Sequence, residues 1–421
     1  MQTFRLFNSL RIFMRRTGAL ATLAAVVGVG AVHAQEAVKI GVVATLEGPF
    51  AVLGQDAIRG AELAIAERGG KVAGRSIEMI KASSTGAPDT AVVASRKLIE
   101  QDKVQFVVGP LSGSEGIAVK EYAKSQPGVT FFATSGAQQT TMVTPAPNLF
   151  RFTTDGAQMI AGLGDAAFAK GFKRVVTVAE DYSYPYSQIQ GFMLEYCKAG
   201  GRVIDKLWVP FGTKDYSGVV SRIPADADAI LVALAGADAV NFLTQYEQAG
   251  GSTPLIGGSA MVDQGVLAAK GKRRDWVAGT PSAGPLADDL DTPEWKRFVS
   301  AYKTTFKDGF PSPSLFALFY YINTKALLDG LDTVKGEPGA NHSSLRVALS
   351  SMELKTPTGL VRLDENRQAI ADIFVTEVVK TGSGLATRLV KVIPRVNQTL
   401  GLSKDEFMKV GMATKTSPEC R

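Results

Sequence analysis

The chain has 421 residues, 45% hydrophobic and 20% charged, with a formal net charge of +6. That length is too great for one ordinary core and suits two lobes, and the balance excludes a disordered or fibrous chain. Arg5, Arg11, Arg15 and Arg16 fall in the first 34 positions, which hold no acidic residue; removing those four from +6 leaves +2, so no nucleic-acid partner is expected.

Those 34 residues read as a secretory signal. Basic residues come first, and "TGALATLAAVVGVGAV" is an uncharged apolar core. Val32-His33-Ala34 then suits cleavage before Gln35. The core is shorter than the roughly 20 residues of a spanning helix. Arg15-Arg16 resembles a twin-arginine signal with incomplete flanks. The mature chain is therefore expected to be exported to the periplasm, with no later segment apolar enough to span a membrane. Cys197 and Cys420 are its two cysteines. An oxidising compartment permits a bridge between them, and two unpaired thiols are the alternative.

In chain order, "VKIGVVATL" (38–46) is an apolar β run broken by Gly48-Pro49. Ala57, Ile58, Ala61, Ala64 and Ile65 then fall at helical spacing. "SIEMIKAS" predicts a second strand, and Pro88-Asp89 starts a helix with Ala91, Val92, Leu98 and Ile99 on one face. "VQFVVGPL" is a third strand, followed by a helix to about Ser125, and "VTFFATS" is a fourth. The rhythm repeats with strands "RVVTVAED", "RVIDKLWVPF", "AILVALAG" and "PLIGGS", and helices over 187–199 and 237–248. Strands alternating with helices predict α/β lobes built on parallel, doubly wound sheets. Two helices follow near 293–307 and 314–329, and then a hairpin turned by Asp364 to Arg367. The tail after Arg395 is polar, with one short helix candidate.

The residues offer little for catalysis. His342 is the one histidine of the mature chain and lies in the polar stretch "GANHSSLR", which predicts a solvated loop. A histidine metal cluster is thereby removed, and a Ser-His-Asp triad is disfavoured. No GxSxG elbow surrounds Ser114, Ser135 or Ser259, and there is no Walker loop or dinucleotide fingerprint. No cofactor and no metal are expected. What recurs is a Ser/Gly-rich turn at strand ends: "GPLSGSEG", "ATSGAQQTT", "EDYSYPY", "LAGAD" and "GGSAM". Each alone could be an ordinary capped turn. Together, at equivalent positions of two open sheets, they point to a shared cleft where helix N-termini hold a carboxylate.

The chain resembles the extracytoplasmic solute-binding proteins of ABC importers, in the branched-chain amino-acid-binding (type I periplasmic) group. The likeness runs from about Val38 to Lys391, through "KIGVVATLEGPFAVLGQDAIRGAELAIAERGG", "VQFVVGPLSGSEGIAV", "FFATSG", "NLFRFTTD" and "VVTVAEDYSYPYSQIQGF". It implies two Rossmann-like lobes joined by three hinge crossings, one over 38–153 plus 282–366 and the other over 154–281 plus 367–395, with 396–421 as a tail. It also implies a monomer that closes on a small organic acid or amino acid and delivers it to a permease in the inner membrane. The first-lobe contacts it implies are Leu53, Leu111, Ser112, Gly113, Ser114, Ser135, Gly136 and Ala137. Those of the second lobe are Tyr184, Ala235 or Gly236, and Ser259. The 112–114 turn and the 135–137 backbone would hold the ligand's carboxylate. Phe316 and Tyr320 fall on a helix near the cleft, with plain helix core as the other reading.

Four departures bear on the ligand. Amino-acid-binding relatives carry threonine where Ala137 stands, and an acid that pairs with the ligand's ammonium where Ser259 stands. An aromatic shelf is replaced by Leu53, and a cysteine by Ser112. A serine cannot offset a buried positive charge. The expected ligand is therefore a carboxylate with a neutral, apolar body, such as an aromatic acid. A sensor module that feeds a partner receptor, and a hydrolase or amidase acting through Ser114, are the competing classes.

Overall fold

The apolar runs become two separate sheets. The structure, a computed structural model, describes residues 36–269, 274–382, 384–416 and 418–420. The expected signal sequence and its cleavage point lie outside the described residues. The first sheet holds β1 (Val38–Thr45), β2 (Lys71–Val72), β3 (Arg75–Ser84), β4 (Phe106–Val108), β5 (Thr130–Phe132) and β6 (Leu149–Phe150), in the order β2-β3-β1-β4-β5-β6. All neighbours are parallel except β2 and β3. β1 is central and buried along its whole length apart from half-buried Lys39, as a strand covered on both faces must be.

The second sheet holds β7 (Arg174–Glu180), β8 (Arg202–Val209), β9 (Ala229–Ala233), β10 (Leu255–Gly257), β11 (Pro281–Gly284), β12 (Leu354–Thr356), β13 (Gly359–Leu363), β14 (Ala369–Thr381) and β15 (Gly384–Val396). Its order is β12-β13-β14-β11-β10-β9-β7-β8, with β15 on β14. β7 to β11 are parallel, and β14 runs antiparallel to β11, β13 and β15. The hairpin at Asp364–Arg367 forms as expected, and β15 is a strand the sequence pattern did not mark.

The chain passes between the lobes three times: after β6, after β11 and along β14. Helices Pro293–Thr305 and Leu315–Thr333 follow β11 but pack into the first lobe's core with Ala57, Ala61 and Ala64. Contact between Ala51–Ala66 and Leu315–Thr333 is close because residue 60 is glycine: a Cβ there would lie 2.0 Å from the Ala317 carbonyl oxygen. Two hinge segments meet at a bridge between Arg151 and Gln368. The Ser183–Lys198 helix starts four residues before the predicted 187, because Tyr182 is extended and Pro185 is tolerated in a first turn.

The expectation for His342 is overturned. Its ring is buried, stacks on Phe106 with centroids 4.9 Å apart, and its Nδ1 lies 2.9 Å from Thr130 Oγ1. The polar neighbours turn outward in a tight left-handed bend at Asn341-His342, and the ring covers the base of the first sheet.

Candidate functional site

The carboxyl ends of β4 and β5 face those of β7 and β10 across the cleft, and the lobes are closed on each other. Between them lies a cavity lined by Leu111, Thr134 and Gly136 from the first sheet's turns, Met159 from a hinge, and Tyr182 and Tyr184 from the second lobe. Leu315, Phe316 and Phe319 complete it from the start of the long helix. Its volume is about 10 Å³ for the centre of a water-sized sphere, room for one water. An organic acid enters only if the lobes part or Tyr184 turns.

Tyr184 is the hub. Its hydroxyl lies 2.8 Å from Ser259 Oγ and accepts from Gln188 Nε2 at 3.0 Å; Gln188 also donates to Ser259 at 2.5 Å. Burial pushes the phenol well above its ordinary pKa, so it stays neutral. The ring lies on the first lobe's backbone: a Cβ on Gly136 would sit 2.4 Å from Tyr184 Cδ2, and one on Gly113 would sit 2.9 Å from Tyr184 N. Glycine at both positions is what permits the approach.

The turn at 112–114 is built as an N-terminus. Ser112 is extended at the N-cap of the Gly113–Ala123 helix, and the Glu115 carboxylate returns to its N–H at 3.0 Å. Glu115 also accepts from Gly86 N at 2.9 Å and Thr45 Oγ1 at 3.2 Å, so one buried acid ties the turn to the ends of two neighbouring strands. Ser114 Oγ lies 3.1 Å from Ser183 Oγ, a hydrogen bond between lobes.

The segment at 135–137 is held from behind. Arg151, fully buried, donates Nη1 to the carbonyls of Ser135 at 2.8 Å and Ala137 at 2.7 Å. It also bonds Gln368 and Thr141, and lies 3.7 Å from Asp155. Burial pulls its pKa down to about 10, against the opposing pull of Asp155 and Asp364, so it remains charged at neutral pH. The Ser135 hydroxyl is directed at the helix backbone near Gly116 and not at the cavity.

Nine of the twelve sequence-derived residues do not line this cavity. Leu53 and Gly236 meet away from it, where a Cβ on Gly236 would lie 3.3 Å from Leu53 Cδ1; both line a separate groove of about 1060 Å³. Ala235 caps the Gly236–Gln248 helix, and its N–H donates to Glu180 at 3.3 Å. Leu111, Gly136 and Tyr184 line the inner cavity, whereas Ser112, Gly113, Ser114, Ser135 and Ala137 are not among its lining residues, and Ser259 stands behind Tyr184. Of the two helix aromatics, Phe316 lines the cavity, whereas Tyr320 is core and donates to Val43 O at 2.6 Å. Sequence reasoning passed over Gln188 and Phe319, although spacing marks both. Gln188 is four residues after Tyr184 and Phe319 three after Phe316, each on its partner's helix face. Thr134, Met159, Tyr182, Leu315 and Arg151 gave no such signal.

An aromatic-lined cavity between two doubly wound sheets, closed by lobes that share a three-crossing hinge, is the arrangement of a solute-binding protein. The chain belongs to the periplasmic binding protein family, whose model matches residues 37–383. Leu/Ile/Val-binding protein homolog 6 of Brucella melitensis biotype 1 is 25% identical to it, covering 83% of this chain and 89% of the relative. An ABC transporter substrate-binding protein from Sphaerobacter thermophilus is 31% identical, with a TM-score of 0.77, covering 86% of this chain and 99% of that one. A solute-binding protein of an ABC transporter from R. palustris, in complex with benzoate, is 25% identical, with a TM-score of 0.78, covering 87% and 100%. The chain is thus an ABC-transporter solute-binding protein of the type I fold. Among the described residues, no helix is long and apolar enough to cross a membrane, and no group of three or more His, Cys, Asp or Glu could hold a metal ion.

Proposed function

We propose that the chain captures a small carboxylate with a neutral apolar body, an aromatic acid above all, in the interlobe cleft and delivers it to an inner-membrane permease. The observation that carries this is the lining of the inner cavity: aromatic and aliphatic side chains, one threonine, two tyrosines and no charged side chain. An α-ammonium buried there would lack a counter-charge, at a cost of several kcal/mol. The carboxylate would rest on the 112–114 turn and the 135–137 backbone once Tyr184 turns off Gly113 and Gly136, where helix N–H groups favour an anion. Benzoate in a relative of the same fold agrees with this reading. The ligand favours the closed state because only that state contacts it from both lobes. Nothing is chemically changed, and the leader at 1–34 would carry the chain to the periplasm.

A thermal-shift panel tests the ligand class. Benzoate or cinnamate at 100 times Kd should stabilise the protein by roughly 2.7 kcal/mol, and leucine and valine should not. The reverse pattern would sink the aromatic reading. Branched-chain amino acids are the second reading, favoured by the relative's name and by Asp263, which lies behind Ser259. Both Asp263 oxygens are already engaged, by Gly265 N–H at 2.9 Å and Leu315 N–H at 2.7 Å, which weighs against its serving as an ammonium partner.

A further inference from the structure

Behind the Tyr184–Ser259 hydrogen bond lies a second cavity, of about 20 Å³ for the centre of a water-sized sphere. Ser259 lines it, and Leu315 lines both cavities, so the two cavities share one side chain and flank that hydrogen bond. Its lining differs from the first in carrying acidic and amide side chains beside the apolar ones. Asp263, Gln264 and Asp288 face it, and no cationic side chain is among its lining residues. Asp288 Oδ2 accepts from Gln264 Nε2 at 3.0 Å, Thr387 N at 2.8 Å and Thr387 Oγ1 at 3.0 Å. Its Oδ1 is buried with no partner. Gln264 is 3% exposed, and because its Nε2 is committed to Asp288, its amide is fixed with Oε1 buried and likewise unpartnered. Two buried acceptors without donors each carry an uncompensated desolvation cost. A donor arriving with the ligand would remove that cost.

We propose that this cavity is a donor-accepting subsite of the ligand cleft: it takes a hydroxyl or amino group carried by an aromatic acid at the end remote from its carboxylate. Gln264 and Asp288 are then specificity-determining residues. The inference rests on the aromatic-acid reading of the inner cavity and narrows it. The carboxylate end meets backbone N–H groups, the ring meets Phe316 and Phe319, and the far end meets the unpartnered Asp288 Oδ1 and Gln264 Oε1. Asp288 Oδ1 has no partner and no cation lines the cavity, so a protonated amine is accommodated as well as a hydroxyl.

Isothermal titration of the mature chain with benzoate, 4-methylbenzoate, 4-hydroxybenzoate and 4-(aminomethyl)benzoate tests this. The methyl compound controls for size, and the last two separate a neutral donor from a cation. At least one donor-bearing acid should bind about tenfold tighter than 4-methylbenzoate. Gln264→Leu and Asp288→Asn should each bring that ratio close to one. The Asn oxygen is needed on the Thr387 side, so its NH₂ would face the cavity and replace an acceptor with a donor. Reading a ratio within each variant cancels general losses of closure or folding. If the wild type binds 4-methylbenzoate as tightly as both donor-bearing acids, the cavity holds only water and the inference is overturned. A wild-type preference unchanged in both variants overturns it too. If benzoate itself does not bind while leucine does, the aromatic-acid reading has failed, and the subsite with it.

Discussion

Tyr184 concentrates the site's chemistry in one side chain. It lines the cavity, lies on Gly113 and Gly136 of the opposite lobe, and bonds Ser259 and Gln188 within its own. Tyr184→Ala should weaken the preferred acid at least tenfold, roughly 1.4 kcal/mol; unchanged affinity by titration would remove Tyr184 from the site. His342 sets a pH dependence of stability far from the cleft. Burial, and then Arg346, pull its pKa from 6.5 down to about 4 in the folded state. The unfolded chain therefore takes up this proton first. The contribution of neutral His342 is intact above about pH 6.5 and is lost as pH falls from there to about 4. Stability of the wild type relative to His342→Gln should decline across that window and stay level above it. Parallel denaturation profiles for the two proteins would refute this.

At the scale of elements, backbone-to-backbone contact is the fold's tightest constraint. Gly60→Ala would press a methyl against the Ala317 carbonyl and force the Ala51–Ala66 and Leu315–Thr333 helices apart. The expected loss is about 1–3 kcal/mol in urea denaturation. A variant as stable as wild type would mean the helix pair can slide. The strand–helix alternation was legible because central strands such as β1 are buried on both faces and read as unbroken apolar runs. β15 was not legible: it is an outer strand on β14 and carries exposed Arg388, Val390, Lys391 and Arg395 among few buried positions. β6 is only two residues long, too short for any period to show. His342 was misread because polarity of sequence neighbours does not report the direction of one ring. In the cleft, turns at strand ends were readable from Ser and Gly. Long-range partners such as Arg151 behind Ser135, or Leu315 beside Tyr184, have no local signature.

For the whole molecule, the tail is structural. Cys197 and Cys420 form a disulfide across a sequence separation of 223. On the way the tail accepts from Gln139 Nε2 of the first lobe at Ala413 O, 3.2 Å, and from Trp208 Nε1 of the second at Lys415 O, 3.0 Å. Gln398 reaches the hinge, donating to Asp155 at 2.8 Å and Gln138 O at 3.2 Å. Such a strap touches both moving bodies and is covalently fixed to one. Cys420→Ser should lower stability by about 2–4 kcal/mol, measured by chemical denaturation under non-reducing conditions. An unchanged midpoint would show that the tail folds independently of the lobes.

Whether the lobes close around an acid without an α-ammonium is read by titration calorimetry of the chain lacking residues 1–34 against benzoate and L-leucine. Saturable one-to-one binding of benzoate is expected, weakened at least tenfold in Tyr184→Ala, with no heat of binding for leucine. Saturable binding of leucine with none of benzoate would contradict closure around such an acid.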